Sequence, residues 1–218
     1  MSNKLIKTLF IGLFLIFVLH LFGCNEKEPP NSPEETTPPK YDFETDKMGW
    51  EPQDHPNSLA ITNVEQTSEK AYSGSKGSLK LMVNLIGSDT SYGQGEAFVD
   101  LRYHPPEDVT APVNLLGREI TAQIFAEEGA RGPKDHENFF QIFVKDSNWK
   151  SEYGPAKDVI ENIWFKIKLM PSMTEPLGGQ MDPGFDPTGI VMVGVKIGSR
   201  ADSTYRYAGP MYMDAFNW

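Results

Sequence analysis

The feature that most constrains the fold of this chain is a period-two alternation of apolar and polar residues, which recurs in five separate stretches. Successive side chains of a β-strand point to opposite faces, so this period predicts strands with one buried face. Turn-rich segments such as 73–77 and 182–189 separate the stretches, and no helical stripe of comparable length is present. We therefore expect an all-β antiparallel sandwich, with strands in residues 78–85, 120–126, 139–145, 164–169 and 191–197.

The first 23 residues are typical of a secretory signal. Lys4 and Lys7 precede an almost unbroken apolar run over 9–22, which is too short to span a bilayer comfortably. The run ends in Leu21-Phe22-Gly23-Cys24, which resembles the lipobox of bacterial lipoproteins, and Cys24 is the single cysteine of the chain. We expect lipidation at Cys24 and attachment to the bacterial cell membrane or outer membrane, with the protein exported to the periplasm or the cell surface. The alternative is an uncleaved N-terminal anchor helix.

The rest of the chain divides into a linker and one domain. Residues 24–40 contain five prolines and no large apolar residue, so we expect an extended spacer between the signal (1–23) and the domain. Residues 41–218 have a globular composition and the length of one domain.

Charge and residue usage exclude several kinds of function. The chain has 20 Lys and Arg against 30 Asp and Glu, and loss of Lys4 and Lys7 with the signal changes the net charge from −10 to −12. Nucleic acid and anionic lipid are therefore poor partners. A domain without a thiol has no disulfide and no cysteine nucleophile. Its histidines, His55, His104 and His136, are not at metal-ligand spacing, which argues against a histidine metal site.

Several stretches of residues 41–218 resemble one family. The domain opens with Tyr41-Asp42-Phe43-Glu44 and Met48-Gly49-Trp50, and further matching stretches are 68–80, 143–149, 162–164 and 209–218. These are similar to the jelly-roll carbohydrate-binding modules attached to bacterial β-mannanases and cellulases. The resemblance implies a jelly roll that binds a β-glycan such as mannan or glucan without a catalytic step. Segments 86–116 and 171–188 are longer than in a minimal module, so no ligand contact is transferred to them.

One outward strand face is the candidate ligand site. Sugar rings bind to flat aromatic side chains, and their hydroxyls bind to nearby polar groups. If alternate residues of 139–145 face the core, the others face outward, and Trp149 follows in a polar loop; the resemblance places the groove on this face. Tyr92, Tyr103, Tyr205 and Tyr207 lie in or near loops, where each is a candidate for the groove rim. The predicted ligand-binding residues are Gln141, Phe143, Lys145, Trp149, Glu152, Tyr153, Tyr92 and Arg206.

Each of these assignments has a simpler alternative. Gln141 and Lys145 also fit an ordinary solvated face, and Arg206 fits a strand residue that faces water. The resemblance further implies a structural calcium held by Glu44, Asp214 and the turn from Ser73 to Lys76, which would join the first and last strands. The alternative there is two surface carboxylates without a metal.

Two other classes of function remain open. No Gly-x-Ser-x-Gly nucleophile turn and no complete glycine-rich phosphate loop occurs. Paired carboxylates for glycoside hydrolysis are not readable from the sequence. A glycosidase or polysaccharide lyase on the same sandwich is therefore one alternative, and an envelope structural or adhesion lipoprotein is the other. A glycan binder at the envelope would have glycan-degrading enzymes or transporters as partners.

Overall fold

Residues 38–218, which the computed structural model describes, form twelve β-strands and no helix. The predicted signal, Cys24 and the linker up to residue 37 lie outside the described residues. Within 38–218 there is accordingly no helix that could cross a membrane. The strands are β1 (Glu51–Pro52), β2 (Ile61–Thr67), β3 (Ser78–Ile86), β4 (Gln94–Asp100), β5 (Ile120–Ala126), β6 (Phe139–Asp146), β7 (Ser151–Tyr153), β8 (Lys157–Asp158), β9 (Trp164–Leu169), β10 (Gln180–Met181), β11 (Ile190–Gly198) and β12 (Arg206–Asn217).

The strands form two antiparallel sheets that pack face to face. The larger sheet has the order β1-β4-β11-β6-β7-β10, with β8 paired to β6, and the smaller has the order β2-β3-β12-β5-β9. Strands that follow each other in the chain therefore often lie in different sheets, as β4 and β5 do. This arrangement confirms the predicted all-β antiparallel sandwich of jelly-roll type.

The alternation read from the sequence determines which side chains enter the core. In β6, Phe140, Ile142 and Val144 are fully buried and belong to the central apolar cluster. The register pairs them with Ile197, Val195 and Val193 of β11, so one row of apolar residues faces the smaller sheet. Gln141 and Lys145 lie between these positions and point to the opposite, outer face of the larger sheet. The outer face carries the candidate site.

Aromatic residues close the sandwich where the first and last segments of the domain meet. Tyr41 donates its backbone N–H to the carbonyl of Phe216 at 3.0 Å. The fully buried ring of Trp50 packs edge-on against Phe216, with centroids 5.1 Å apart. Edge-to-face pairs add about 0.5–1.5 kcal/mol beyond their burial. These contacts hold the opening segment on the last strand.

Candidate functional site

The outward residues of the larger sheet form parallel rows across three central strands. The register of β11 with β4 and with β6 fixes which residues are neighbours. Tyr153 of β7 extends the middle row beside Phe143. Taken from β4 through β11 to β6, the rows are Asp100–Met192–Lys145, Phe98–Gly194–Phe143 and Glu96–Lys196–Gln141.

The centre of this outer face is recessed relative to the surrounding side chains, because Gly194 has no side chain. A Cβ atom there would lie 2.5 Å from Cζ of Phe143 and 2.6 Å from the carbonyl oxygen of Ala97. The Phe143 ring therefore lies across β11, where it is fully buried. The Tyr153 ring packs against it, with the two ring centroids 5.5 Å apart. Phe143 was predicted to bind ligand. It is instead fully buried, because the missing side chain of Gly194 leaves room for its ring over β11.

A polar network crosses the outer face of the larger sheet. Tyr153 donates its hydroxyl to Oε1 of Glu96 at 2.9 Å, and Lys145 Nζ lies 3.8 Å from Oε2 of the same carboxylate. The ammonium of Lys196 lies 4.9 Å from the centre of the Tyr153 ring. Burial raises the pKa of Tyr153 and lowers the pKa of Lys196, although the negative charge of Glu96 opposes the second shift. Gln141 donates its amide to the carbonyl of Gly154 at 2.7 Å. The outer face of the larger sheet thus carries polar groups that their hydrogen bonds and ion pairs hold in place.

An open depression of about 390 Å³ lies at one end of this face. Its floor comes from β4, β6 and β11, and its sides come from β1 and from the loops after β4 and β6. Two exposed aromatic residues stand at its edge: the Trp149 side chain is 55% exposed and that of Tyr103 is 74% exposed. The lining residues are Gly49, Glu51, Gln53, Asp54, Phe98, Asp100, Tyr103, His104, Lys145, Trp149 and Met192.

Arg102 connects the two exposed rings. Its guanidinium carbon lies 5.1 Å from the Trp149 centroid and 5.6 Å from the Tyr103 centroid, so the two centroids are no more than about 11 Å apart. Asp100 holds the guanidinium in a two-pronged ion pair, accepting Nε–H at 2.9 Å and Nη2–H at 2.6 Å. This hydrogen bonding lowers the pKa of the Asp100 carboxyl. The result is a platform of two rings, Trp149 and Tyr103, at the edge of the depression.

Three of the predicted ligand-binding residues do not lie on this surface: Glu152, Arg206 and Tyr92. Glu152 pairs with Val144 and is fully buried on the core side, where its Oε2 accepts the N–H of Ser172 at 3.1 Å. Burial raises the pKa of the Glu152 carboxyl. Arg206 begins β12 in the smaller sheet and donates to the carbonyls of Ser203 and Tyr205. The predictions for Glu152 and Arg206 are therefore corrected.

Tyr92 lies in the connection between β3 and β4. It lines a separate depression of about 320 Å³, which shares only Gln53 and Asp54 with the one beside Trp149. Gln141, Lys145, Trp149 and Tyr153 are the predicted residues that the structure brings to the outer face. Asp100 and Arg102 were not among the predicted residues, although their spacing of two beside Tyr103 is a local signal for an ion pair next to an exposed ring.

The residues predicted to hold calcium meet at one turn. Glu44 Oε1 accepts the Ser75 hydroxyl at 3.1 Å and the Lys76 N–H at 2.9 Å. Asp214 Oδ2 accepts the N–H of Tyr72 at 2.9 Å, at the start of the same turn. Asp214 is almost fully buried; burial raises the pKa of its carboxyl, and the charge of Glu44 acts in the same direction.

Acidic and histidine side chains alone do not build a metal site in the described region. Among residues 38–218, no three or more His, Cys, Asp or Glu side chains are close enough to share a metal ion. A cation beside Glu44 and Asp214 would therefore also need hydroxyl or carbonyl oxygens of the turn, and calcium accepts such oxygens.

Comparisons with known proteins give structural neighbours only. The sequence matches no known protein-family model and no curated protein. Module CBM27-1 of Caldicellulosiruptor saccharolyticus, solved in complex with mannohexaose, is 18% identical, with a TM-score of 0.49 over 80% of this chain and 92% of that chain.

Two further neighbours are family 22 carbohydrate-binding modules. The CBM22-1 xylan-binding domain of Xyn10C from Paenibacillus barcinonensis is 17% identical, with a TM-score of 0.44 over 81% of this chain and 88% of that chain. The C-terminal family 22 carbohydrate binding module of Clostridium thermocellum Xyn10B is 15% identical, with a TM-score of 0.43 over 86% and 94% of the two chains. The described domain is a jelly roll, and it is similar to these carbohydrate-binding modules.

Proposed function

We propose that the domain binds a polysaccharide, without a catalytic step, at the depression beside Trp149. The observation that carries this proposal is the platform of Trp149 and Tyr103, two exposed rings linked through Arg102 at the edge of a depression that also contains charged and amide side chains. Large aromatic side chains are usually buried, and an exposed pair beside a concave surface is typical of a binding site.

The chemistry of the depression fits a sugar chain. Flat rings pack against the C–H faces of pyranose rings, and charged or amide groups bind their hydroxyls. Gln53, Asp54 and Lys145 supply donors and acceptors within the depression. Its volume of about 390 Å³ lies in the usual range of ligand sites, about 300–1,000 Å³. An open depression at the end of a sheet also lets a long chain continue beyond the bound sugars.

The first ligands to test are β-mannan, β-glucan and xylan. The resemblance of residues 41–218 to the modules of β-mannanases and cellulases suggests the first two. The solved neighbours include a module in complex with mannohexaose and a xylan-binding domain, so xylan is tested alongside.

The test uses the mature chain, residues 24–218, in affinity gel electrophoresis and calorimetric titration. The variant Trp149→Ala removes the larger exposed ring, and Leu177→Ala removes a side chain that is 62% exposed and does not line the depression. We expect retardation by at least one β-glycan, a loss of tenfold or more in affinity for Trp149→Ala, and no change for Leu177→Ala. Tenfold corresponds to about 1.4 kcal/mol.

Other outcomes identify the alternatives. A folded wild-type protein that no glycan retards would refute glycan binding and favour a structural or adhesion role. Release of reducing sugar or of unsaturated product from a bound glycan would instead indicate a glycan-active enzyme.

We propose that the domain works at the bacterial envelope. The support is the signal-like sequence 1–23 and the single cysteine Cys24, whose lipid would tether the domain through the linker 24–40. Acyl chains contribute about 0.8 kcal/mol per buried methylene, so a multiply acylated cysteine anchors firmly. A tethered binder would hold glycan close to glycan-degrading enzymes or transporters.

We also propose a structural calcium at the turn that Glu44 and Asp214 share. The two carboxylates would provide its charged ligands, and the turn from Ser73 to Lys76 would provide neutral oxygens. Calcium at a hundredfold its Kd would stabilise the fold by about 2.7 kcal/mol, which is roughly 5–10 °C in Tm for a domain of this size. We expect that rise for the wild-type protein and its loss in Asp214→Asn. An equal Tm with calcium and with chelator would contradict the proposal.

A further inference from the structure

We propose that Asp146 is the positioning residue of the Trp149 ring. This inference rests on the proposed function, because it assigns Asp146 the task of presenting that ring to a glycan. Asp146 is the last residue of β6, and its side chain is fully buried. It does not line the depression, so its effect on a ligand must pass through another residue.

The Asp146 carboxylate fixes both sequence neighbours of Trp149. Its Oδ1 accepts the backbone N–H of Asn148 at 2.8 Å and that of Lys150 at 3.0 Å. Its Oδ2 accepts the N–H of Asp186 at 2.9 Å, which ties the turn to the segment that leads into β11. Hydrogen bonds to an ionised acceptor are about twice as strong as neutral ones. One buried side chain therefore holds the turn from inside the fold.

The backbone of the same two residues closes the turn. Trp149 donates its N–H to the carbonyl of Asp146 at 2.9 Å, and Asp146 donates its N–H to the carbonyl of Lys150 at 2.9 Å. Trp149 has a φ of +63°, a left-handed conformation that bulky side chains rarely adopt. The turn has to be held to keep that conformation, and the bonds to Asp146 hold it.

Packing does not explain why a tryptophan occupies this position. Its side chain is 55% exposed, so it is not a core residue, and glycine or asparagine would fit the left-handed backbone better. The conformation does direct the ring to the edge of the depression, within 5.1 Å of the Arg102 guanidinium carbon. The geometry is that of a buried carboxylate that holds an exposed ring in a fixed direction.

A double-mutant cycle separates positioning from general stability. The four proteins are the mature wild-type chain, Asp146→Asn, Trp149→Ala and the double variant, each titrated with a β-glycan that retards the wild type. In Asp146→Asn one acceptor oxygen becomes an amide NH2 group, which meets the N–H of Asp186 or the N–H groups of Asn148 and Lys150, donor against donor. We expect affinity to fall about tenfold in the wild-type background and less than twofold in the Trp149→Ala background. Equal losses in both backgrounds, or no loss in either, would overturn the inference.

A spectroscopic measurement gives a second test that needs no glycan. In a ¹H–¹⁵N spectrum, the indole N–H signal of Trp149 is the one missing from Trp149→Ala. We expect Asp146→Asn to shift that signal and the Nε–H signal of Arg102, and to leave the buried indole of Trp50 unchanged. An unshifted Trp149 signal would overturn the inference.

The two measurements distinguish the inference from the proposed function. A shifted Trp149 signal in a protein that no glycan retards would refute the proposed function and leave the placement of the ring by Asp146 supported. If Asp146→Asn does not fold, Asp146→Ser enters the same cycle, because its shorter side chain retains an oxygen acceptor. The expected results are then the same.

Discussion

Replacing Gly194 with alanine tests the packing beneath the candidate site. The added Cβ would lie 2.5 Å from Cζ of Phe143 and 2.6 Å from the carbonyl oxygen of Ala97, about 1 Å inside ordinary van der Waals contact. The Phe143 ring can move, but the Ala97 carbonyl belongs to β4, which pairs with β11 at this position. Both the sheet and the ring would have to adjust.

The expected loss of stability follows from these contacts. Overpacking destabilises the folded state by about 1–3 kcal/mol. The lower conformational entropy of the unfolded chain offsets about 0.4–1 kcal/mol of this loss. We expect a net loss of about 1–2 kcal/mol and a decrease of roughly 2–8 °C in Tm for a domain of this size. Displacement of Phe143 would also disturb Tyr153, which packs on it and donates to Glu96, so affinity for a bound glycan should fall as well.

Gly189→Ala is the matched control in thermal and urea denaturation. A Cβ at Gly189 would have its nearest atom at 3.5 Å, which is ordinary contact, and the residue has no left-handed backbone. We expect its stability to remain within about 0.5 kcal/mol of the wild type. A Gly194→Ala protein as stable as Gly189→Ala would refute the reasoning, because the centre of the face would then have room that the Phe143 ring does not fill.

Three further predictions concern buried and exposed groups. Burial raises the pKa of the Glu152 carboxyl in the folded state, so its contribution to stability is complete below its unfolded pKa, about 4.3, and is lost as pH rises. Glu152→Gln should therefore stabilise the domain more at pH 7 than at pH 4 in urea denaturation, and the opposite order would contradict this. Tyr103→Ala should weaken glycan binding about three- to tenfold with Tm nearly unchanged, because the ring is exposed; a large loss of Tm would show that Tyr103 is structural. Trp50→Ala should cost about 3–5 kcal/mol, measured by the same denaturation, because Trp50 is fully buried; a loss below 1 kcal/mol would contradict its place in the core.

The strands were the part of the structure most readable from the sequence. The alternation over 139–145 corresponds to β6 (Phe139–Asp146), and that over 78–85 corresponds to β3 (Ser78–Ile86). A sandwich buries one face of each strand, so the positions of apolar residues carry the information directly. The same pattern placed Gln141 and Lys145 on the outer face.

The errors in the candidate site have equally definite causes. Glu152 and Tyr153 were both assigned to the groove, but adjacent residues of a strand point to opposite faces, and only Tyr153 faces outward. Arg206 was predicted to bind ligand because it lies between two tyrosines in the sequence. Its strand belongs to the smaller sheet, and membership of a sheet is not encoded in local alternation.

By itself the sequence determined an all-β chain, the buried face of its main strands and the exposed setting of Trp149, because each depends on residues adjacent in the chain. The tertiary structure alone decided which outward residues meet. It brings Tyr153 of β7 to Glu96 of β4 across the two strands between them, and it places the Phe143 ring over Gly194. It also places Trp149 beside Arg102, which Asp100 holds. These contacts link residues some 40 to 60 positions apart, and strand order and register, which no local pattern specifies, create them.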